Sequence, residues 1–445
     1  MKQLVIVQPY VPTYRVPFFE GLVNKLGEIG IECRVLAGQP TGTQRHRNDA
    51  AAADWIVEIP YREISLWGRS LKFGGAGRHV HGADAVIVGH IGTSWDTNKA
   101  VLNGAMGGTP VGLWGHIKSY VSHANPLGAT VERWQLSNEP DVVHLHNLHG
   151  YYLNMPLLFS ALQLSGARVI WTLHDCWAFT GHCTHFAFAG CDKWRTHCGN
   201  YPQKCAYPAS YGLDSSKRNY DDKHRLTASM TNLTLVTPSE WLAELVGQSF
   251  LKEHPVEIIK NGIDQTAFQP TATDFKATHG IEDKFVVLGV ASRWTERKGA
   301  LDFIKLSRRL GPDYVIVLVG VDPALARRPP STFITFARTE SQVELVSIYS
   351  VADVFFNPTY EDNYPTTNLE AICCGTPVVT YETGGSPESV TGDRGAVVPQ
   401  GDLDRAAMVI AEFCGQRHRT PSSQPEFDNR LMCDRYLALY DRAES

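Results

Sequence analysis

Two series of short apolar runs, each run followed by a loop and a helix-like stretch, set the strongest limit on what this chain can fold into. The first series reads LVIVQ (4–8), CRVLA (33–37), DAVIVGH (84–90), PVGLWGH (110–116), DVVHLH (141–146), RVIWTLH (168–174), LTLVT (233–237) and VEIIKNG (256–262). The second reads FVVLGVAS (285–292), YVIVLVG (314–320), FITFA (333–337), VFFNP (354–358), PVVTY (377–381) and GAVVP (395–399). The runs are rich in Val and Ile and do not alternate cleanly with polar residues, which suits parallel strands covered on both faces. Two such series predict an α/β chain of two doubly wound, Rossmann-like parallel-sheet domains. The polar stretch GIDQTAFQPTATDFK (262–276) separates them. Domains are expected over 1–264 and 265–402, with a helical segment over 403–445 packing back across both.

The remaining global features narrow the function classes. The 445 residues are 43% hydrophobic and 20% charged, enough apolar material for real cores. A formal net charge of -5 carries no global nucleic-acid signature. No apolar run is long enough to span a bilayer as a helix. The opening MKQLVIVQPYVP is cut by Pro9 and Pro12 and reads as a first strand, not a leader. The expected location is the cytoplasm, with contact at the inner face of a membrane left open.

An internal echo runs through the first half. Asp84 and His116 bracket one strand–helix–strand unit, and Asp141 and His174 bracket another. Either two α/β units merely resemble each other, or the N-terminal half is duplicated or fused. In the stretch DVVHLHNLHG, His144 and His146 share one face of a strand and His149 lies in the loop beyond. Two histidines on one face with a third nearby could bind zinc, but no carboxylate or Cys sits next to them in sequence, and hydrogen bonding to a polar substrate is the better reading.

The stretch YEDNYPTTNLEAICCGTPVVTYETGGSPE (360–388) is the most informative. Pro365 and Thr366 predict a helix start, and Gly375 a helix end. A helix N-terminus at the carboxyl end of a parallel strand attracts anions. Glu370, one turn in, is placed to accept two hydrogen bonds from a diol such as a ribose; the plain alternative is a solvated helix glutamate. The loop ASRWTERKG (291–299) follows its own strand and offers Arg293 and Lys298. Fixed cations there stabilise a departing diphosphate.

These motifs together resemble the retaining GT-B glycosyltransferases of family 4. The resemblance implies that Arg293 and Lys298 hold the donor diphosphate with Thr366 and Thr367, that Glu370 holds the ribose, and that the acid eight positions earlier touches the sugar. That acid is Asp362, where the family usually has Glu; Glu361 is adjacent. IIKNGID (258–264) resembles the family's interdomain linker. DVVHLHNLHGYYLN and VIWTLHDCWAFTGHC resemble the N-terminal domain of exopolysaccharide enzymes of the colanic-acid type, whereas QPYVPTYRVPFFEGLVNKL resembles another branch of the same family. The resemblance implies that His174 contacts the transferred sugar. It assigns Tyr10, Arg15, His116, His146 and Asn147 to the acceptor or sugar, and Tyr10, Tyr14 and Arg15 stand where a Gly-rich acceptor loop is usual.

Of ten cysteines, Cys176, Cys183, Cys191, Cys198 and Cys205 cluster within one segment, expected as an insertion over 176–208. A cytosolic chain does not ordinarily spend such a cluster on disulfides. Structural zinc at Cys183, Cys191, Cys198 and Cys205, with His182, His185 or His197 as substitutes, is one reading; free packed thiols are the other main one. Asp402-Leu403-Asp404 fits a D-x-D pattern but lies past the last strand, so it reads as a helix start.

The expected activity is therefore sugar transfer, with retention, from a UDP- or GDP-sugar lying between the domains to a saccharide or lipid-linked saccharide, needing no catalytic cofactor and no nucleic acid. A GT-B sugar-nucleotide epimerase would process donor without acceptor. A catalytically dead carbohydrate binder would not need the Arg293/Lys298/Glu370 set.

Overall fold

The computed structural model describes residues 2–8, 31–37, 56–58, 61–66, 69–74 and 85–88, scattered positions between 20 and 54, and then 142–148, 155–164, 166–203, 214–321, 333–421 and 423–441. The chain divides into two compact units: Met1–Thr237 with Ala243–Ile258, and Pro238–Leu242 with Ile259–Ser445.

The first unit carries an all-parallel sheet. Its strands are β1 (Lys2–Gln8), β2 (Ile31–Ala37), β3 (Ile56–Glu58), β6 (Ala85–Val88), β7 (Val142–Leu145), β8 (Arg168–Thr172), β9 (Leu233–Thr237) and β10 (Val256–Ile258). They lie in the order β10-β9-β8-β7-β6-β1-β2-β3. An antiparallel hairpin, β4 (Tyr61–Leu66) with β5 (Arg69–Gly74), stands apart from it. Sequence periodicity missed β3 and this hairpin; the predicted strand 110–116 lies outside the described residues. Helices α1 (Met155–Leu164), α2 (Ser216–Ala228) and α3 (Glu240–Gly247) follow β7, β8 and β9.

The second unit is a six-stranded parallel sheet in the order β13-β12-β11-β14-β15-β16. These are β11 (Phe285–Val290), β12 (Tyr314–Val319), β13 (Ile334–Phe336), β14 (Val354–Asn357), β15 (Val378–Tyr381) and β16 (Gly395–Val398). Its helices are α4 (Ala300–Leu310), α5 (Gln342–Val351), α6 (Thr366–Cys373), α7 (Leu403–Gln416) and α8 (Asn429–Asp441), besides a single turn at Phe275–Thr278.

The missing alternation in the strand sequences has a direct cause. Val286, Leu288, Val317 and Phe355 pack into one core with Ile348 of α5 and Leu369 and Ile372 of α6. Their chain neighbours Val287, Ile316, Leu318 and Phe356 pack into another with Phe303 and Leu306 of α4 and Ala406 and Ile410 of α7. Both faces are buried, so both must be apolar. Each such side chain contributes roughly 1.5–3 kcal/mol of burial. That tertiary term holds α6, whose eight residues are too few to be stable alone.

Strand order reverses about β11: β12 and β13 lie to one side, β14 to β16 to the other. The loops that follow β11 and β14 therefore leave side by side from the carboxyl edge, the place where open α/β sheets bind ligands. The D-x-D stretch is a helix start, as its position suggested. Asp402 caps α7 by accepting from the Arg405 N–H at 2.9 Å, and Asp404 pairs with Arg309 at 2.6 Å.

Candidate functional site

The loop after β11 is built to aim Lys298. Buried Trp294 roots it, its indole Nε1 donating to the Val319 carbonyl at 2.8 Å. Thr295 caps the short turn Glu296–Lys298 by accepting from the Lys298 N–H. Gly299 follows at φ +74°, and a Cβ there would meet the Pro358 carbonyl oxygen at 2.2 Å, so only glycine fits. The Lys298 ammonium forms an ion pair with the Asp362 carboxylate. Two further bonds join the loops: the Tyr360 N–H donates to the Arg297 carbonyl at 2.8 Å, and the Arg297 guanidinium donates to the Glu361 carbonyl at 3.0 Å. Arg293 is exposed on the same loop.

The loop after β14 is gripped from its other side. Gly384 and Gly385 approach so closely that added Cβ atoms would lie 2.0 Å from the Asp362 carbonyl oxygen and 1.9 Å from that of Asn363. Ser239 Oγ donates to Asn363 Oδ1 at 2.5 Å in a buried contact. Asp302, at the start of α4, is buried and accepts from the hydroxyls of Tyr360 and Tyr381 at 2.8 and 2.9 Å. The acid-bearing loop thus has its backbone fixed before any ligand arrives.

Helix α6 opens at Thr366, with Pro365 in extended conformation as the capping residue. Buried Asn368 ties it down: its amide donates to Ser386 Oγ and Ser389 Oγ, both at 3.1 Å, and its Oδ1 accepts from Asn357 at 2.8 Å. Gly375, at φ +84°, ends the helix as predicted. Glu370 keeps part of its surface exposed, but its carboxyl is desolvated, and burial raises its pKa to about 7. Hydrogen bonds from Tyr349 (2.9 Å) and Thr366 pull against that rise. Thr367 is half-buried in the same first turn.

In the first unit, the histidines of β7 divide their work. His144 is buried and its Nε2 lies 2.7 Å from Thr172 Oγ1. Burial pushes its pKa down to about 3, with His174 adding to the effect, so it is a neutral core residue. His146 and His174 stand just beyond β7 and β8, with His146 Nδ1 3.0 Å from His174 Nε2. Two ring nitrogens that close share one proton, so each imidazole fixes the other's tautomer. The Trp171 indole donates to the His146 carbonyl at 2.9 Å and anchors the pair from below. Half-buried Asn147 follows in the chain, and His174 itself is exposed. Tyr10, Arg15, His116 and His149 lie outside the described residues.

Among the described residues no three His, Cys, Asp or Glu side chains gather as a metal site requires. Cys183, Cys191 and Cys198 form no such group among the described residues, and Cys205, the fourth ligand of the expected zinc site, lies outside them. An aromatic group packs this segment: Phe179, Phe186 and Trp194, with rings 4.9–6.4 Å apart. Lys223 of α2 is buried beneath it, its Nζ 3.6 Å from the centre of the Trp177 ring and bonded to the Trp177 carbonyl at 2.5 Å. Cys198 Sγ accepts from the Gly181 N–H at 3.1 Å.

Two family models match consecutive stretches of this chain. Residues 73–266 match Glycosyltransferase Family 4, and residues 271–423 match Glycosyl transferases group 1. The chain is a GT-B glycosyltransferase. A colanic acid biosynthesis glycosyl transferase, WcaC of Escherichia coli K12, is 26% identical over 340 residues, 71% of this chain and 79% of that protein. A D-inositol 3-phosphate glycosyltransferase of Mycolicibacterium smegmatis is 24% identical, over 71% of each chain. Among solved structures, the sucrose-phosphate synthase of Thermosynechococcus elongatus superposes with a TM-score of 0.59 at 14% identity, over 99% of this chain and 98% of its own. HepE of Anabaena, solved with UDP-glucose, gives 0.58 at 13%, over 99% of both chains. At such identity these two likenesses bear on the fold.

In this glycosyltransferase the structure brings Lys298 against Asp362, and Thr366 against Glu370, while Glu361 turns its side chain into a buried position. Sequence reasoning missed Arg297, Asp302, Tyr349 and Ser239. Each acts through a contact far away in sequence, and no local pattern marks it.

Proposed function

We propose that the chain transfers a sugar, with retention of anomeric configuration, from a UDP- or GDP-activated donor to a saccharide acceptor in the synthesis of an exopolysaccharide or another cell-surface glycan. The observation that carries this reading is the joined pair of loops after β11 and β14, with Lys298 on Asp362 beside the start of α6. Diphosphate gathers negative charge as it leaves, and Arg293, Lys298 and the N–H groups of the α6 start supply the counter-charge. Those cations make a divalent metal unnecessary. Glu370 receives the ribose hydroxyls. His174, held by His146, orients a sugar hydroxyl, and the leaving phosphate takes the acceptor proton. The colanic acid relative favours a glycan acceptor, which when lipid-linked brings the enzyme to the cytoplasmic face of a membrane.

The test needs no acceptor. Thermal unfolding is measured with UDP, GDP and ADP, with and without EDTA. A ligand at about 100 times its Kd adds about 2.7 kcal/mol of stability. One of UDP or GDP is expected to raise the midpoint, with or without EDTA, and Arg293→Ala to abolish the rise. No shift with any nucleotide sinks the reading; a shift that vanishes in EDTA restores a metal to it.

A further inference from the structure

We propose that Tyr349 is a positioning residue for donor binding: its hydroxyl holds the Glu370 carboxylate in the orientation that receives the ribose diol. The proposal rests on the nucleotide-sugar reading above. Tyr349 lies on α5, not on the motif-bearing helix, and donates to Glu370 Oε2 at 2.9 Å. Its ring is fully buried, edge-on to Phe355 at 5.7 Å and to Phe268 at 6.4 Å. Its own carbonyl accepts from Thr376 Oγ1 at 2.6 Å, just past the end of α6. The hydroxyl is thus fixed at both its ring and its backbone, so the carboxylate it holds cannot swing through its usual rotamers. A diol needs both oxygens of one carboxylate in a set plane, and pre-setting that plane removes an ordering cost from binding.

The device has a protonation consequence. Charge-assisted bonds favour the ionised carboxylate, and Tyr349 is one of the two groups that oppose the effect of burial on Glu370. The ionisable groups on which Glu370 acts in turn are neutral near pH 7: burial pushes the Cys373 thiol up to about 12 and the Cys374 thiol higher, and raises Tyr349 as well. Donor affinity should therefore rise with pH as Glu370 ionises, and loss of the Tyr349 hydroxyl should move that rise upward.

The experiment is calorimetric binding of UDP-glucose and GDP-mannose from about pH 5 to about 8. Each phosphate of these probes carries one ester and one anhydride link and has no second ionisation, so the ligands do not titrate there. Wild type, Tyr349→Phe, Glu370→Gln and the double variant are compared. Tyr349→Phe is expected to weaken binding about tenfold at neutral pH and to raise the midpoint by about one pH unit. Glu370→Gln should be weak and flat with pH, and adding Tyr349→Phe to it should cost nothing more. A Tyr349→Phe profile that overlays wild type, or an equal loss in the Glu370→Gln background, overturns the positioning role and leaves the transferase reading standing. Failure of wild type to bind either probe removes the reading beneath it and the proposal together. Unfolding midpoints of all four proteins show whether a loss is local.

Discussion

Lys298→Ala is expected to lower kcat/KM for the nucleotide sugar by about a thousandfold while leaving the fold intact. One fixed donor aimed at developing charge is worth on the order of 10²–10³ in rate. Here the substitution also strips Asp362 of its cation, so the carboxylate is left facing the incoming phosphates and repels them. The ion pair is partly solvated at both ends, so its loss costs stability little, about 1 kcal/mol. Lys298→Arg should recover only part of the rate, because a planar guanidinium on a different stem cannot occupy the point the ammonium holds. Release of nucleoside diphosphate from the donor, followed in a continuous coupled assay, measures both. Activity of Lys298→Ala within tenfold of wild type would falsify the assignment of Lys298 to the leaving group.

Gly384→Ala is expected to be severely damaging to the site for the sake of a single methyl group. The residue sits at φ +56°, a region that costs an L-residue on the order of 1–3 kcal/mol. The new Cβ would stand 2.0 Å from the Asp362 carbonyl oxygen. Backbone, not a flexible side chain, blocks it, so the Asp362–Asn363 segment must move. A total loss of about 3–5 kcal/mol is expected, the range of the severe single substitutions, together with loss of the nucleotide-induced rise in melting temperature. Urea unfolding and the nucleotide shift check the two halves. If stability falls but the nucleotide shift survives undiminished, the loop after β14 is not part of the donor site.

The fold was legible because the strands carry their own evidence. Unalternating Val/Ile runs such as FVVLGV and YVIVLV have one comfortable setting, a parallel strand covered on both sides. The short edge strand β3 and the β4–β5 hairpin were not legible. YREISL and RSLKFG mix charged and apolar residues and lie close in sequence, so their pairing is local and antiparallel, outside the series that dominates the chain. At the site, motif spacing marked Arg293, Lys298, Asp362 and Glu370, which lie within single loops or helix turns. His144 shows the limit of that approach. A strand face predicts His144 and His146 as equals, yet β7 ends at Leu145, which leaves His144 inside the sheet on Thr172 and His146 outside it on His174. Asp302, whose carboxylate takes bonds from tyrosines 58 and 79 positions away, could not be read from any window of sequence.

The stitching of the β11 and β14 loops has a consequence for how such a site can change. The Tyr360–Arg297, Arg297–Glu361 and Lys298–Asp362 bonds make one object of two sequence segments that lie some sixty positions apart. A substitution in either segment is judged against the other, so the two should vary as a set in a lineage and resist variation alone. If these loops hold the donor as proposed, donor preference is therefore not portable in one piece. A recombinant that imports either loop from a relative inherits half of a matched part, and only exchange of both together carries the property across.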